Sequence, residues 1–239
     1  EQFPAPEAPA IANVLERYYQ LNFVRKPEFM GFNGYDDGVN RTKFNPLAWG
    51  SDGQPDENHA RAAEWAQLRA TEAPLAKRMS PQYQAAYFEL VGYPVEGAAA
   101  MNEKFLATDL TYLDAHEHKD AAIPAEAARA RTAYDEIQTL TARYNSLEDG
   151  KWDGIMSDAP RQRHVFEMPR TATAADADTP LPASWGAGEP LARPIGPGFV
   201  EESGVVSINA AHFARKYDGT LAQWRVLPDL GIPGAAVVY

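Results

Sequence analysis

The stretch "PAEAARARTAYDEIQTLTARYNSLEDG", Pro124–Gly150, decides the fold class. Ala130, Ala133, Tyr134, Ile137, Leu140, Tyr144 and Leu147 recur at helical spacing, which gathers them on one face of an α-helix. Pro124 suits a first helical turn, where a missing N–H has no intrahelical acceptor to lose. Gly150 is predicted to end the helix, because glycine enters the left-handed conformation at no steric cost. Lys151 would then meet the negative end of the helix dipole, and Trp152 would fold back over the last turn.

Working back toward the N-terminus, the same period recurs. Pro9 opens a helix that carries Ile11, Val14, Leu15, Tyr18 and Asn22, and Pro27 ends it. A turn-rich loop, "GFNGYDDGVNRTKFNP", follows. Asp56 or Asn58 is placed to cap a second helix bearing Ala62, Trp65, Ala66 and Leu68, predicted to stop near Ala73. Ser80-Pro81 starts a third, with Tyr83, Tyr87, Leu90 and Val91 as its stripe. Pro94 either kinks one long helix or begins a new one. Beyond it Ala98, Ala99, Asn102, Phe105, Leu106, Leu113 and His116 share a side. The prediction is a mainly α chain, with a bundle of four to five helices over residues 1–160.

The character changes after Pro160. "TATAADADTPLPASWGAGEPLARPIGPG" has no sustained period, so residues 161–198 read as an extended Pro/Gly/Ala-rich linker. From Gly204 the period becomes two, with Val206, Ile208 and Ala210 alternating with their neighbours. "QWRVLP" and "AAVVY" read as two more strands. Three short strands rarely stand alone. Residues 199–239 are therefore predicted to be the first strands of a truncated β-sandwich.

Composition removes several function classes. The net charge of the 239-residue chain is -11, which lacks the basic footprint that phosphate backbones require, so no nucleic-acid partner is expected. No apolar run is long enough to span a membrane. Cysteine is absent, which excludes disulfides, thiol nucleophiles and thiolate metal sites. Glu1 opens directly into a polar, proline-containing segment, so the chain reads as a mature or excised piece.

Each candidate for chemistry has a plainer explanation. His116 and His118 stand two apart, a spacing that does not share a helix face, so a metal pair is disfavoured. Asp52, Asp56 and Asn58 lack the central glycine and final glutamate of a calcium loop. Asp36 and Asp37 sit in ordinary turn chemistry, and Ser203 with His212 makes no triad alone. Asn102 lies within an apolar stripe, where an amide needs partners; a hydrogen bond to a loop backbone is expected.

Four segments resemble one family: "YFELVGYPVEGAAAMNE", "LTARYNSLEDGKWDGIMSDAPR", "GVVSINAAHFARKYDG" and "WRVLPDLGIPGAAVVY". Together with "IANVLERYYQLNFVRKPEF", and in this order, they resemble the C-terminal half of glycoside hydrolase family 115, the xylan α-1,2-glucuronidases. The resemblance implies an α/β domain and a catalytic (β/α)8 barrel elsewhere in the same polypeptide, followed by a helical bundle and a β-sandwich. It implies no catalytic, cofactor-binding or metal-binding residue in this chain, and no cofactor. It implies a scaffold fragment of an enzyme that removes glucuronic or 4-O-methylglucuronic acid from glucuronoxylan, placed in the periplasm or outside the cell. Lys151 and Trp152 are the candidate contact with the barrel. A homodimer is left open. Two other readings stand beside it. One is a stand-alone carbohydrate- or protein-binding helical module; the other is an independent enzyme using Asp36, Asp37, Asp153 or Asp158.

Overall fold

The computed structural model describes residues 3–32, 39–47 and 55–185, together with the strand backbones 201–202, 205–206, 225–228 and 235–238. The chain divides into two compact units, Glu1–Lys43 with Ala62–Leu181, and Phe44–Arg61 with Pro182–Tyr239.

The first unit is mainly α-helical. Helix α1, Ala8–Val24, has its proline in the first turn and buries Ile11, Val14 and Leu21. It stops because Lys26 precedes a proline and takes the extended conformation that such a position favours. Helix α2, Glu57–Arg78, is capped by Asp56, whose Oδ1 accepts the N–H of His59 at 3.0 Å. It does not stop near Ala73 but continues through Pro74. An interior proline costs about 3 kcal/mol. Leu75 and Met79, both buried just beyond it, offset that cost through their packing.

Helix α3, Pro81–Tyr87, runs without a break into a π-helical turn, Phe88–Gly92, and then into α4, Tyr93–His116. Pro94 is thus neither the start of a separate helix nor a sharp kink. The wider π turn carries the disruption that a proline ring causes against the carbonyl four residues earlier. Helix α4 is the centre of the unit and is buried on all its faces, including Lys104, Thr108, Asp109 and Thr111. Helix α5, Ile123–Asn145, packs along it through Ala130, Ala133, Leu140 and Tyr144.

The main core joins Ile11, Val14 and Leu21 of α1 to Trp65, Leu68 and Leu75 of α2 and to Val91, Val95 and Ala98. Gly31 lies so close to the Phe105 ring that a β-carbon there would stand 2.2 Å from the ring. Only glycine permits that approach.

The stretch after Pro160 is anchored to α4 for most of its described length. It makes short 3-10 turns at Pro160–Gln162, His164–Phe166 and Ala174–Asp176. The Ala172 N–H donates to Thr111 Oγ1 at 2.9 Å, and Thr173 with Asp176 forms a reciprocal capping box.

In the second unit, the Asn45 N–H donates to Glu57 Oε2 at 3.0 Å, and Arg61 stacks over Phe44. Two antiparallel ladders pair β1, Glu201–Glu202, with β2, Val205–Val206, and β3, Arg225–Pro228, with β4, Ala235–Val238. The last two fall within "QWRVLP" and "AAVVY", which read as strands.

Candidate functional site

The loop that follows α5 has a closed base. Asn145 donates from Nδ2 to the carbonyl of Met156 and accepts its N–H at Oδ1, both at 2.9 Å. This clasp turns the chain at Asn145, so α5 ends there and not at Gly150. Gly150 is left-handed as expected, with φ +82. Glu148 and Asp149 are left-handed too, at φ 50 and 56. For non-glycine residues that conformation costs roughly 1–2 kcal/mol each, which the clasp and the packing beneath it must offset.

That packing is centred on Trp152. The half-buried indole rests on Phe88, Leu140, Tyr144, Leu147 and Met156. Lys151 Nζ stands 4.6 Å from its ring centroid. Lys151 and Trp152 therefore form one feature, but the early end of α5 removes Lys151 from the helix dipole. Ile155, missed by the sequence reading, is 62% exposed on the same loop. Asp153 is exposed and Asp158 half-buried.

The other candidates are dispersed. His116 and His118 are both exposed, and His118 has a φ of 56. Asp56 is a helix cap and pairs with His59 Nδ1 at 2.7 Å. Asn102 is buried, and its Nδ2 donates to the Ala98 carbonyl of its own helix at 2.8 Å. Asp36, Asp37, Asp52, Ser203 and His212 lie outside the described residues. Among the described residues no group of three or more His, Asp or Glu side chains could hold a metal ion. No described helix is long and apolar enough to cross a membrane.

A cleft of about 580 Å³ lies over α4, between α2 and α5, lined by Ala66, Ala99, Asn102, Ala128 and Thr132. The guanidiniums at its edge are engaged. Arg69 pairs with Glu96 at 2.6 Å and with Glu136, and Arg129 pairs with Glu103 and Glu126 at 2.6 Å each.

Three further ionisable groups with perturbed chemistry lie in the packed interior, and helical periodicity gave no sign of them. Burial pushes the Asp109 carboxyl up to about 7, against the pull of Arg41 and of its bonds to Thr42. Its Oδ2 accepts the Thr42 N–H at 3.0 Å, and its Oδ1 lies 3.7 Å from Arg41. Burial pushes the Glu57 carboxyl up to about 7 as well, with the Asn45 N–H opposing the rise. Burial pushes the Lys104 ammonium down to about 7, with Glu167 opposing. Lys104 Nζ donates to the carbonyls of Val165 and Glu167 at 2.9 and 3.0 Å, and it lies 4.7 Å from the Phe105 ring centroid.

Comparisons with known proteins give the wider setting. Residues 198–239 match the Glycosyl hydrolase family 115 C-terminal domain. A solved structure described as a novel family GH115 4-O-methyl-α-glucuronidase, BtGH115A, with specificity for decorated arabinogalactans, is similar over 70% of this chain, at 34% identity and a TM-score of 0.55. This chain spans 20% of that protein. No curated protein matches the sequence. The likeness thus covers most of the chain, and the family match covers its C-terminal segment. The chain belongs to glycoside hydrolase family 115 and corresponds to a C-terminal portion of it.

Proposed function

We propose that the chain is the helical bundle, crossover and first β-sandwich strands of an α-glucuronidase, and that it serves that enzyme as scaffold without contributing a catalytic group. One observation carries this reading. Four carboxyls are held above their ordinary range: Asp109, Glu57 and Glu72 are 0, 5 and 2% exposed, and the fourth, Glu96, is ion-paired with Arg69 at 2.6 Å. A general acid needs a raised value and also contact with its substrate. The buried three have the first without the second, because their shifts come from building the fold. The similar GH115 enzyme supports the class of reaction.

The parent enzyme removes glucuronic or 4-O-methylglucuronic acid from glucuronoxylan, outside the cytoplasm. Its barrel and α/β domains are this chain's partners, and the Asn145–Met156 loop meets the barrel. Lys151 supplies a charge there, Ile155 an apolar contact, and Trp152 supports both from beneath. Anchors of this kind dominate interface energies.

The test is release of 4-O-methylglucuronate by the chain alone and by the full-length parent, on glucuronoxylan and on decorated arabinogalactan. Release from glucuronoxylan by the parent alone is the expected result. Turnover by the isolated chain would overturn the scaffold role. A parent that acts only on arabinogalactan would correct the substrate and leave that role intact.

A further inference from the structure

Two aspartates of the Asn145–Met156 loop precede a glycine, Asp149 before Gly150 and Asp153 before Gly154, and both aspartates are exposed. An aspartyl-glycyl link is open to attack from within. The glycine nitrogen can reach the aspartate carboxyl, and glycine has no β-carbon to obstruct the approach. Both glycines are left-handed, at φ +82 and +75, and a β-carbon on either would meet nothing within 4 Å. By sequence the two links are equivalent.

The structure separates them. The Gly150 N–H donates to the Ser146 carbonyl at 3.3 Å, at the end of the helical turn Leu147–Gly150, so its nitrogen is engaged. The Gly154 N–H has no acceptor among the described residues. It lies inside a turn made by its neighbours, in which the Ile155 N–H donates to the Trp152 carbonyl at 3.0 Å. The Asp153 N–H donates to the Gly150 carbonyl at 3.0 Å, which holds the backbone of Asp153 and leaves its carboxyl in solvent. A backbone nitrogen that gives up no hydrogen bond is the one free to lose its proton and attack.

We propose that Asp153 is a self-modification site, converted to isoaspartate in the folded chain while Asp149 is spared. The Gly154 nitrogen bonds to Cγ of Asp153, its proton is lost, and the carboxyl hydroxyl leaves as water. The product is a cyclic succinimide. Water then opens the ring at either carbonyl carbon. Addition at Cγ restores aspartate. Addition at the main-chain carbonyl carbon leaves Gly154 joined through the side chain and frees the former main-chain carbonyl as a carboxylate. One water leaves and one returns, so the net change is an isomerisation that needs no oxidant, reductant or cofactor.

The new linkage inserts one carbon into the main chain between Trp152 and Ile155. The turn closed by the Ile155 N–H spans this link and cannot keep its geometry, and the displacement is passed on toward Met156 and the Asn145 clasp. Trp152 lies before the insertion and Ile155 after it, so the two shift relative to each other. Resting on the barrel contact proposed above, the isomerised loop fits that surface less well, and docking in turn shields Asp153 from the reaction.

The experiment incubates the full 239-residue chain at neutral pH, digests it with trypsin and labels isoaspartate with an isoaspartyl methyltransferase, the position being read by fragmentation in the mass spectrometer. Cleavage at Arg143, Lys151 and Arg161 puts Asp149 and Asp153 on separate peptides. Isoaspartate should accumulate at Asp153 several-fold faster than at Asp149, and the gap should close in denaturant, where both amides are free. Asp153→Glu, whose ring would be larger and slower to close, should remove the signal. No isoaspartate at Asp153, or equal rates at the two positions in the folded chain, would overturn the proposal. The full-length parent separates the site from its consequence. Slower isomerisation there than in the chain alone supports both; equal rates support the site and overturn the contact of the loop with the barrel.

Discussion

Lys104 Nζ is bonded to the carbonyl of Val165, 61 residues further along the chain, at 2.9 Å. The lysine is wholly enclosed, and the same ammonium also bonds the Glu167 carbonyl. One side chain of the central helix therefore fixes the path of the backbone that leaves the helical unit. Lys104→Met keeps the stem's volume and removes the donors. Two carbonyls would lose a charged partner, at about 1.5–3 kcal/mol. Limited proteolysis is expected to open the variant between Arg161 and Arg170 while the natural chain resists there.

Asp109 should make stability depend on pH in an unusual direction. Its folded value, about 7, lies above its ordinary 3.8. The folded state thus binds the extra proton, so this contribution is complete below about pH 4 and is lost as pH rises through 7. Asp109→Asn keeps an acceptor for the Thr42 N–H and cannot ionise. Thermal unfolding at pH 8 should favour the asparagine variant, and at pH 4 the two should converge. Asp109→Ala orphans Thr42 and is expected to cost about 1–3 kcal/mol at either pH.

Gly31→Ala places a methyl group where the Phe105 ring already is. Phe105 is 0% exposed. Overpacking of this kind costs about 1–3 kcal/mol. Gly31→Ala with Phe105→Leu should recover part of the loss in chemical denaturation. Absence of recovery would place the strain elsewhere.

Asn145→Ala opens the clasp at the base of the loop. Two hydrogen bonds are lost, worth about 1 kcal/mol each, and the left-handed Glu148 and Asp149 lose what holds them. Trp152 fluorescence should shift to the red in the folded variant as the indole leaves Phe88 and Leu140. Trp152→Ala should cost about 2 kcal/mol even in this chain alone, because the ring is half-buried in its own unit.

Local signals in the sequence account for much of the fold. Pro9, Ile11 and Val14 mark α1, and Ala130, Ala133, Leu140 and Tyr144 mark α5. These elements each bury one face, so the 3.6-residue period shows through. Helix α4 buries every face, and an enclosed helix has no polar side to set its period against. Its buried Lys104, Thr108 and Asp109 therefore carry no periodic signal. What covers Lys104 and Asp109 comes from Val165 and Thr42, far away in sequence. The end of α5 was misplaced because Gly150 is an ordinary stop signal, while the actual stop is a bond from Asn145 to Met156.

The π turn at Phe88–Gly92 has a consequence for insertions and deletions. A π turn carries one residue more than the α turn it replaces. Removing one residue from a regular helix rotates everything beyond it by about 100°, and here that would turn α4 away from its partners. Removing Leu90, which is 40% exposed, would instead convert the wide turn into a regular one and leave α3 and α4 in phase. Pro94 would then lie in an ordinary helix, against the carbonyl four residues back, so the deletion should be tolerated best together with Pro94→Ala. This is the one turn in the long Pro81–His116 helix where chain length can change without changing which residues face the core.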